Sequence, residues 1–234
     1  MKFSKIQTYL SAPRINRYLD ATGNKAKAIR LYKANLKIAQ AFHPILGVTE
    51  VVLKNKINTI LSSHFSDPNW IINQKSGFMS AASLQYVYKK TGAIKTNDYL
   101  KQEVQKAERR IKKSGTKITS GKIIAEQSLG FWSSLFEVHH YKLLSGQPIK
   151  TFENLPPSYG RKEILTDLNF IRRFRNRINH NEPICFTNNT INFDESENAH
   201  KSLKELLCWI DPQLLKWITD LDCIQTQIIN AKKI

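Results

Sequence analysis

The hydrophobic positions of this chain recur mostly at spacings of three and four residues, the period of a helix that buries one face. The clearest case precedes Pro183, where one apolar stripe runs through Ile164, Leu168, Ile171, Phe174 and Ile178. Polar residues occupy the other positions of that segment. The pattern predicts a helix over about residues 159–181, which follows a proline- and glycine-rich loop.

Similar patterns predict most of the remaining elements. Helical periodicity is present over residues 14–20, 24–64, 81–90, 118–141, 195–210 and 212–230. Pro44 and Gly47 interrupt the second of these segments, which predicts either two helices or one kinked helix. Only residues 190–193 suggest an extended piece, so the predicted fold class is all-α. We expect a single domain of residues 1–234, with C-terminal helices over about residues 195–230.

The charge of the chain points to a negatively charged partner. The sequence holds 36 lysines and arginines against 19 carboxylates, a formal net charge of +17. Such an excess attracts nucleic acid or an anionic membrane surface over long range. No apolar run approaches the about 20 residues of a membrane-spanning helix, and no signal peptide is visible. We therefore expect a cytoplasmic protein with no membrane partner.

Neither a metal nor a cofactor is expected from the sequence. Its three cysteines are widely spaced and are predicted to be reduced. No clustered carboxylates and no paired Cys or His ligands are visible along the chain.

A dense run of positive charge lies between residues 101 and 122. It includes the RNA-contact candidates Arg109, Arg110, Lys112 and Lys113. A solvated helix followed by a flexible turn explains this run as well as contacts with phosphates do.

The last turn of the predicted motif helix combines side chains suited to phosphodiester chemistry. Asn176 and His180 are four residues apart and lie on one face, while Arg175 lies about 100° round the helix. An imidazole transfers protons near neutral pH, and a guanidinium stabilises charge on phosphorus-bound oxygens. A solvated helix face with a polar C-cap before Pro183 explains the same residues without any chemistry.

Three stretches of the chain resemble blocks of one known family. Residues 175–184 read RNRINHNEPI, similar to the RN…H-x-EPI signature of Abi-like (abortive infection, AbiD/AbiF type) proteins of the HEPN superfamily. Residues 121–132, GKIIAEQSLGFW, and residues 50–55, EVVLKN, are similar to two further blocks of these proteins. The sequence departs from that pattern at Lys54, where arginine is usual, and at Asn181, where a second histidine is common.

The resemblance implies a HEPN-type helical bundle with additional flanking helices. It implies a metal-independent endoribonuclease whose Arg-x4–6-His motif would make Arg175 and His180 catalytic, with Asn176 orienting one of them or the phosphate. HEPN nucleases commonly combine two motifs in one site, so we expect a homodimer. The implied role is defence against phage by growth arrest, or a toxin restrained by an antitoxin RNA or a protein.

Other residues of these blocks receive supporting roles in the prediction. They are Glu50, Lys54, Asn55, Arg177 and Glu182, while Arg172 and Arg173 join the RNA-contact candidates. Asn55 is predicted to be at least partly buried, either in a structural hydrogen-bond network or orienting the site. Glu50 and Lys54 are also explained as an ordinary pair on one helix face.

Two other functions stay open from the sequence. The first is a non-catalytic RNA-binding or scaffold protein that keeps the fold and the positive charge. The second is a nucleotide-binding or protein-interaction module. RNA cleavage in the presence of excess chelator is the observation that separates the nuclease from both.

Overall fold

The computed structural model describes residues 1–234 and confirms the predicted all-α class. Helices hold 68% of the residues, and the only sheets are two short two-stranded ones. The helices are α1 (Phe3–Leu10), α2 (Ala12–Thr22), α3 (Lys25–Phe65), α4 (Trp70–Asn73), α5 (Tyr99–Lys113), α6 (Ser120–Glu126), α7 (Leu129–Ser134), α8 (Val138–Leu143), α9 (Arg161–Asn179), α10 (Asp194–Ile210), α11 (Gln213–Ile218) and α12 (Ile224–Ala231). Three 3₁₀ segments span Phe78–Ser80, Ala82–Leu84 and Gln147–Thr151.

The strands form two antiparallel hairpins. The first joins β1 (Gln85–Val87) to β2 (Ile94–Thr96), and the second joins β3 (Phe186–Thr187) to β4 (Thr190–Ile191). The second hairpin confirms the extended piece predicted over residues 190–193, although its strand covers only Thr190 and Ile191. The first hairpin places strand β1 within residues 81–90, so the helix predicted there is wrong. Aromatic and β-branched residues in this segment favour a strand.

The residues group into two compact units. The first unit comprises Met1–Thr49, Arg173–Cys208 and Pro212–Ile234, and the second comprises Glu50–Arg172 and Trp209–Asp211. The predicted single domain stays a prediction, because compactness alone does not show whether either unit folds by itself.

Aromatic rings hold the core of the first unit together. Tyr18 meets the rings of Tyr32 and Phe186 edge to face, at centroid distances of 5.3 and 5.1 Å. Phe42 of α3 meets Phe174 of α9 in the same way at 4.8 Å. All five rings are buried. Edge-to-face pairs of this kind each add about 0.5–1.5 kcal/mol beyond the area that they bury.

The core of the second unit is built around two buried tryptophans. Trp70 and Trp132 are fully buried, and the indole N–H of Trp70 donates to Asn58 Oδ1 at 2.9 Å. Gly130 allows a close approach here, since a Cβ at this position would lie 3.0 Å from Tyr99 Oη and 3.3 Å from Arg172 Nη1. The GKIIAEQSLGFW block therefore contributes largely to packing in this unit.

Helix α3 continues through Pro44 and Gly47 as one element of 41 residues, so the expected alternative of two separate helices is wrong. By length and composition alone it qualifies as a candidate membrane span, with a window of mean hydropathy 1.3. It contains no uninterrupted apolar run, because polar residues are spaced along it. Its Ile38, Phe42 and Ile45 are buried in the first unit, as in an ordinary core helix. The absence of a membrane partner stays a prediction.

The predicted single helix over residues 118–141 is instead three short ones. Its continuity is lost at Gln127 and Ser128, and again at Glu137, where the backbone is extended. Thr119 caps the first of the three helices, α6, by accepting from the backbone N–H of Lys122 at 3.3 Å. Most apolar residues of the first two helices, α6 and α7, are buried, whereas Val138 of α8 is 43% exposed. The spacing of apolar residues alone did not reveal these breaks.

The C-terminal segment over residues 212–230 is likewise two helices, α11 and α12, with a break before residue 224. His200 Nε2 on α10 lies 2.6 Å from the Asp222 carboxylate, and both side chains are largely buried. The other oxygen of Asp222 accepts from the backbone N–H of Ile224 at the start of α12. This histidine–aspartate pair was not predicted, because its two residues lie in different sequence segments.

Candidate active site at the end of α9

Helix α9 begins with a capping interaction encoded by its own sequence. The carboxylate of Glu163 accepts from the backbone N–H of Gly160 at 3.0 Å, the reciprocal half of a capping box. Hydrogen bonds from backbone N–H groups hold the pKa of Glu163 below its ordinary value. The predicted stripe from Ile164 to Ile178 is buried at all five positions, which confirms the motif helix within two residues at each end.

Helix α9 ends in a Schellman motif. The backbone N–H of Glu182 donates to Arg177 O at 2.8 Å, and that of Asn181 donates to Ile178 O at 3.0 Å. Asn181 has a φ of 52°, in the left-handed region that asparagine tolerates better than most residues. The departure from the family pattern at this position therefore has a conformational use in this chain.

Arg177 ties the end of α9 to the segments that follow it. Its guanidinium, which is half-buried, donates to the Glu195 carboxylate of α10 and to the carbonyl oxygen of Pro183. Glu182 lies 3.6 Å from the same guanidinium. These contacts give Arg177 and Glu182 a structural role at the end of α9, and their supporting role in catalysis stays a prediction.

The backbone of Ile184 is held on both sides by buried polar side chains. Asn35 Oδ1 on α3 accepts from Ile184 N at 2.7 Å, and Ser196 Oγ on α10 donates to Ile184 O at 2.8 Å. Both side chains are almost fully buried, at 2% and 0% exposure. Sequence reasoning missed them, although a single asparagine between the apolar positions Leu31 and Ile38 is a detectable signal.

Cys185 is the next residue, and it is not a candidate nucleophile. Burial raises the pKa of its thiol to about 12, so it stays protonated near neutral pH. Burial likewise raises the pKa of Tyr18, which shares a hydrogen bond with this thiol. The pair belongs to the core beneath the motif.

The predicted catalytic residues lie on the surface above this scaffold. Asn176 and His180 are exposed, and their side chains make no hydrogen bond within the protein. The backbone N–H of His180 donates to Asn176 O at 3.0 Å, which confirms that the two residues stack one turn apart. Arg175 is half-buried and interacts with other residues of the protein. The arrangement offers an accessible imidazole and an amide on one face, with a guanidinium on its flank.

The supporting residues Glu50, Lys54 and Asn55 belong to the second unit, whereas Arg175, Asn176 and His180 belong to the first. Asn55 is exposed, so its predicted burial is wrong. The buried face of this part of α3 runs through Leu53, Ile57 and Leu61. Asn55 lies one helical turn after Val51 and on the same face, which faces the solvent, since Val51 is 46% exposed.

The RNA-contact candidates differ in their surroundings. Arg109, Lys112 and Lys113 of α5 are exposed and have no partner within the protein. Arg110 lies 3.5 Å from Glu126. Arg173 is exposed, whereas Arg172 is half-buried beside the Gly130 position. Three of the four RNA-contact candidates on α5 are therefore fully available to a polyanion.

No group of three or more His, Cys, Asp or Glu side chains is arranged to hold a metal ion. No family model, curated protein or solved structure matches this chain. The similarity to Abi-like proteins and the HEPN-type bundle therefore stay predictions based on the three sequence blocks.

The Schellman motif can be tested through Asn181. We expect Asn181→Val to lower the free energy of unfolding by about 1–2 kcal/mol, because a β-branched residue is strained at positive φ. Asn181→Gly should leave stability unchanged or slightly raised, since glycine adopts this conformation without strain. Urea denaturation monitored by circular dichroism measures both effects.

Asn179→Val is the matched control for this prediction. Asn179 is exposed in the last turn of α9 and has a helical backbone, and valine and asparagine have similar helix propensities. The same substitution should therefore cost little there. Equal losses at the two positions would show that the conformation of Asn181 is not what stabilises the helix end.

Proposed function

We propose that this protein is a metal-independent endoribonuclease of the cytoplasm, with His180, Arg175 and Asn176 as its catalytic residues. One observation carries the proposal. Within the RNRINHNEPI segment, Arg177, Asn181 and Ile184 are engaged in fixing the helix end, whereas the side chains of Asn176 and His180 are exposed and unbonded. An exposed imidazole that makes no hydrogen bond, on a backbone held by these contacts, suits proton transfer to or from a bound substrate.

The proposed reaction is an in-line transesterification within RNA. The ribose 2′-oxygen attacks the adjacent phosphorus as its proton passes to a general base, and the P–O5′ bond breaks as the leaving oxygen gains a proton. The products are a 2′,3′-cyclic phosphate and a 5′-hydroxyl end. His180 serves as the base or the acid, and Arg175 stabilises the charge on the non-bridging oxygens of the transition state.

The active form in this proposal is a homodimer. One motif supplies one imidazole, whereas this cleavage benefits from a proton acceptor and a proton donor on opposite sides of the phosphate. Two motifs facing each other across a two-fold axis supply both groups. The exposed side chains of Trp217 and Leu221, at 65% and 46%, support a contact between copies in the region of α11.

The biological role in this proposal is abortive infection or toxicity, with cellular or phage RNA as the substrate. An antitoxin RNA would suit the same basic surface, since the net charge of +17 favours any polyanion. The resemblance of the three sequence blocks to Abi-like proteins is the support for this role.

Cleavage of RNA by the purified protein in excess EDTA tests the proposed chemistry. We expect cutting to persist in chelator, because protein side chains supply the proton transfers and the charge stabilisation. The products should carry 2′,3′-cyclic phosphate and 5′-hydroxyl ends, which enzymatic end-labelling identifies. Cleavage that stops in EDTA and returns with Mg²⁺, or products with 5′-phosphate ends, would contradict the mechanism.

The exposed cations of α5 favour a second candidate, an RNA-binding protein that does not cleave. Arg109, Lys112 and Lys113 point to phosphate contact whether or not α9 is catalytic. In that case binding to RNA would be salt-dependent, and the RNA would stay uncleaved with the wild-type protein and with every variant of His180.

Replacing Arg109, Arg110, Lys112 and Lys113 together by glutamine should weaken RNA binding and flatten its salt dependence. On single-stranded RNA, each phosphate that the protein neutralises adds about 0.7 to the slope of log affinity against log salt. A variant that leaves three or four of these phosphates without a cation should therefore show a slope smaller by about 2 to 3. Fluorescence anisotropy with labelled RNA at several salt concentrations measures the slope.

A control of equal charge separates local contact from general attraction. Replacing the exposed Lys2, Lys5, Lys27 and Lys233 by glutamine removes the same number of charges elsewhere on the chain. An equal decrease of the slope in the two variants would show that α5 acts only through the net charge.

A further inference from the structure

The β1–β2 hairpin of the second unit is an exposed element with no core of its own. All three residues of each strand are exposed. Tyr86, Val87 and Ile94 are 47%, 64% and 73% exposed, although valine and isoleucine are among the residues most often buried. Burial of an apolar face therefore does not explain why these residues occupy the hairpin.

The hairpin presents aromatic rings and a cation on one face. Tyr86 pairs directly with Lys95 across the strands, so their side chains project from the same side. Tyr88 lies two residues after Tyr86 and shares that side, and its backbone N–H donates to Ala93 O at 2.8 Å. The ammonium of Lys95 lies 3.9 Å from the centroid of the Tyr88 ring. A stacking surface and a positive charge are thus held side by side.

The charge of the surrounding segment has a single sign. From Pro68 to Asn97 the chain contains four lysines and no aspartate or glutamate. Lys75 is paired with Glu108, whereas Lys89, Lys90 and Lys95 lie on or beside the hairpin and are exposed without an acidic partner. This distribution complements a polyanion.

A cavity of about 480 Å³ opens at the base of the hairpin. It is lined by Ser83, Leu84, Gln85, Tyr86, Asn97 and His139. The side chains of Ser83, Gln85 and Asn97 make no hydrogen bond within the protein, so their donors and acceptors are available to a ligand. A cavity with an aromatic wall and unused amides suits a planar, hydrogen-bonding group such as a nucleobase.

The base of this cavity is anchored to the second unit. The backbone N–H of Asn97 donates to Leu84 O at 2.9 Å, which closes the open end of the hairpin. His140, next to the exposed His139, is buried and its Nδ1 donates to Ser134 O at 3.0 Å. His139 is thereby held at the cavity wall by a fixed neighbour.

We propose that the β1–β2 hairpin and the cavity at its base bind single-stranded RNA, with an unpaired base stacked on Tyr86 and the flanking phosphates on Lys89, Lys90 and Lys95. Stacking on an exposed ring requires a base that is not already paired, so the site selects single strands over duplexes. The inference rests on the proposed function in taking RNA as the ligand, and it places substrate recognition in a different element from α9.

The test measures affinity in the full chain carrying His180→Ala, so that bound RNA is not cut. In this background Tyr86→Ala should weaken binding of a labelled 12-nucleotide single strand about tenfold, because base–aromatic stacking contributes strongly to each bound base. Tyr86→Phe should bind as the parent does, since the ring is kept. Affinity for an RNA duplex of the same length should stay unchanged in both variants.

Tyr9→Ala is the matched control, since Tyr9 is an exposed tyrosine of the first unit at 72% exposure. It should leave single-strand affinity unchanged. Thermal unfolding followed by circular dichroism confirms that each variant is folded, as expected for substitutions at exposed positions. A single strand carrying one 4-thiouridine should cross-link under near-ultraviolet light to residues 83–97.

Unchanged single-strand affinity of Tyr86→Ala would overturn the inference, as would cross-links confined to other segments. A change of oligomeric state in Tyr86→Ala, with RNA affinity intact, would show instead that the hairpin docks protein. Binding is measured in the His180→Ala chain and cleavage in the wild type, so failure of the hairpin site and failure of the nuclease proposal are distinguishable. If the wild-type protein cuts RNA in EDTA while Tyr86→Ala binds RNA normally, the hairpin site is wrong and the nuclease proposal stands.

Discussion

His180→Ala is expected to abolish RNA cleavage, lowering the rate by at least about a hundredfold. General acid–base groups contribute about 10²–10⁴ to such reactions, and no other imidazole lies in the motif. His180 is exposed at the C-cap of α9 and makes no side-chain hydrogen bond, so the fold should be unaffected. Initial rates of cleavage of a labelled RNA, measured with excess EDTA, give the comparison.

His43→Ala is the matched control, because His43 is also an exposed histidine of the first unit. It should cleave at the wild-type rate. Equal rates for wild type and His180→Ala would remove His180 from the mechanism.

His180→Ala also tests whether one active site is built from two copies of the motif. An equal mixture of wild-type and His180→Ala chains, allowed to exchange, should cleave at less than half the wild-type rate if each site needs both copies. A fully active monomer, measured by light scattering at the assay concentration, would exclude a shared site.

Arg175→Lys should lower the cleavage rate by about 10²-fold although it keeps the charge. The planar guanidinium donates two parallel hydrogen bonds to a phosphoryl group, whereas an ammonium is a point charge on a flexible stem. Loss of one well-placed donor to a developing anion costs about 10²–10³ in rate. Single-turnover cleavage at saturating RNA separates this effect from weaker binding.

Arg30→Lys supplies the comparison at an exposed arginine of the first unit outside the motif. It should leave the cleavage rate unchanged. Wild-type rates in Arg175→Lys would mean that residue 175 contributes only electrostatic attraction.

Local patterns determined a large part of the helical structure. The stripe of α9, from Ile164 to Ile178, is buried as its spacing predicts. Asn24 caps α3 by accepting from the N–H groups of Ala26 and Lys27, and Gly23 ends α2 at a φ of 62°. These features depend on residues within about one helical turn, so one stretch of sequence contains the necessary information.

The placement of two candidate site residues on one helix face could also be predicted from the sequence. The spacing of Asn176 and His180 predicted a shared face, and the backbone hydrogen bond between them confirms it. What these residues catalyse stays a prediction, because a displayed imidazole serves any reaction that brings a suitable substrate to it.

Tertiary contacts determine which residues surround that site, and they explain why two of the predictions were wrong. Asn35 and Ile184 are 149 positions apart, and no local pattern indicates that one fixes the backbone of the other. Periodicity placed Asn55 on the wrong face because the buried side of a helix depends on what packs against it. The β1–β2 hairpin replaced a predicted helix since strand pairing joins residues such as Tyr86 and Lys95, which local helical spacing does not relate. The local spacing of apolar residues indicates whether a segment is a helix or a strand. Its buried face and its hydrogen-bond partners depend on contacts with residues far away in the sequence.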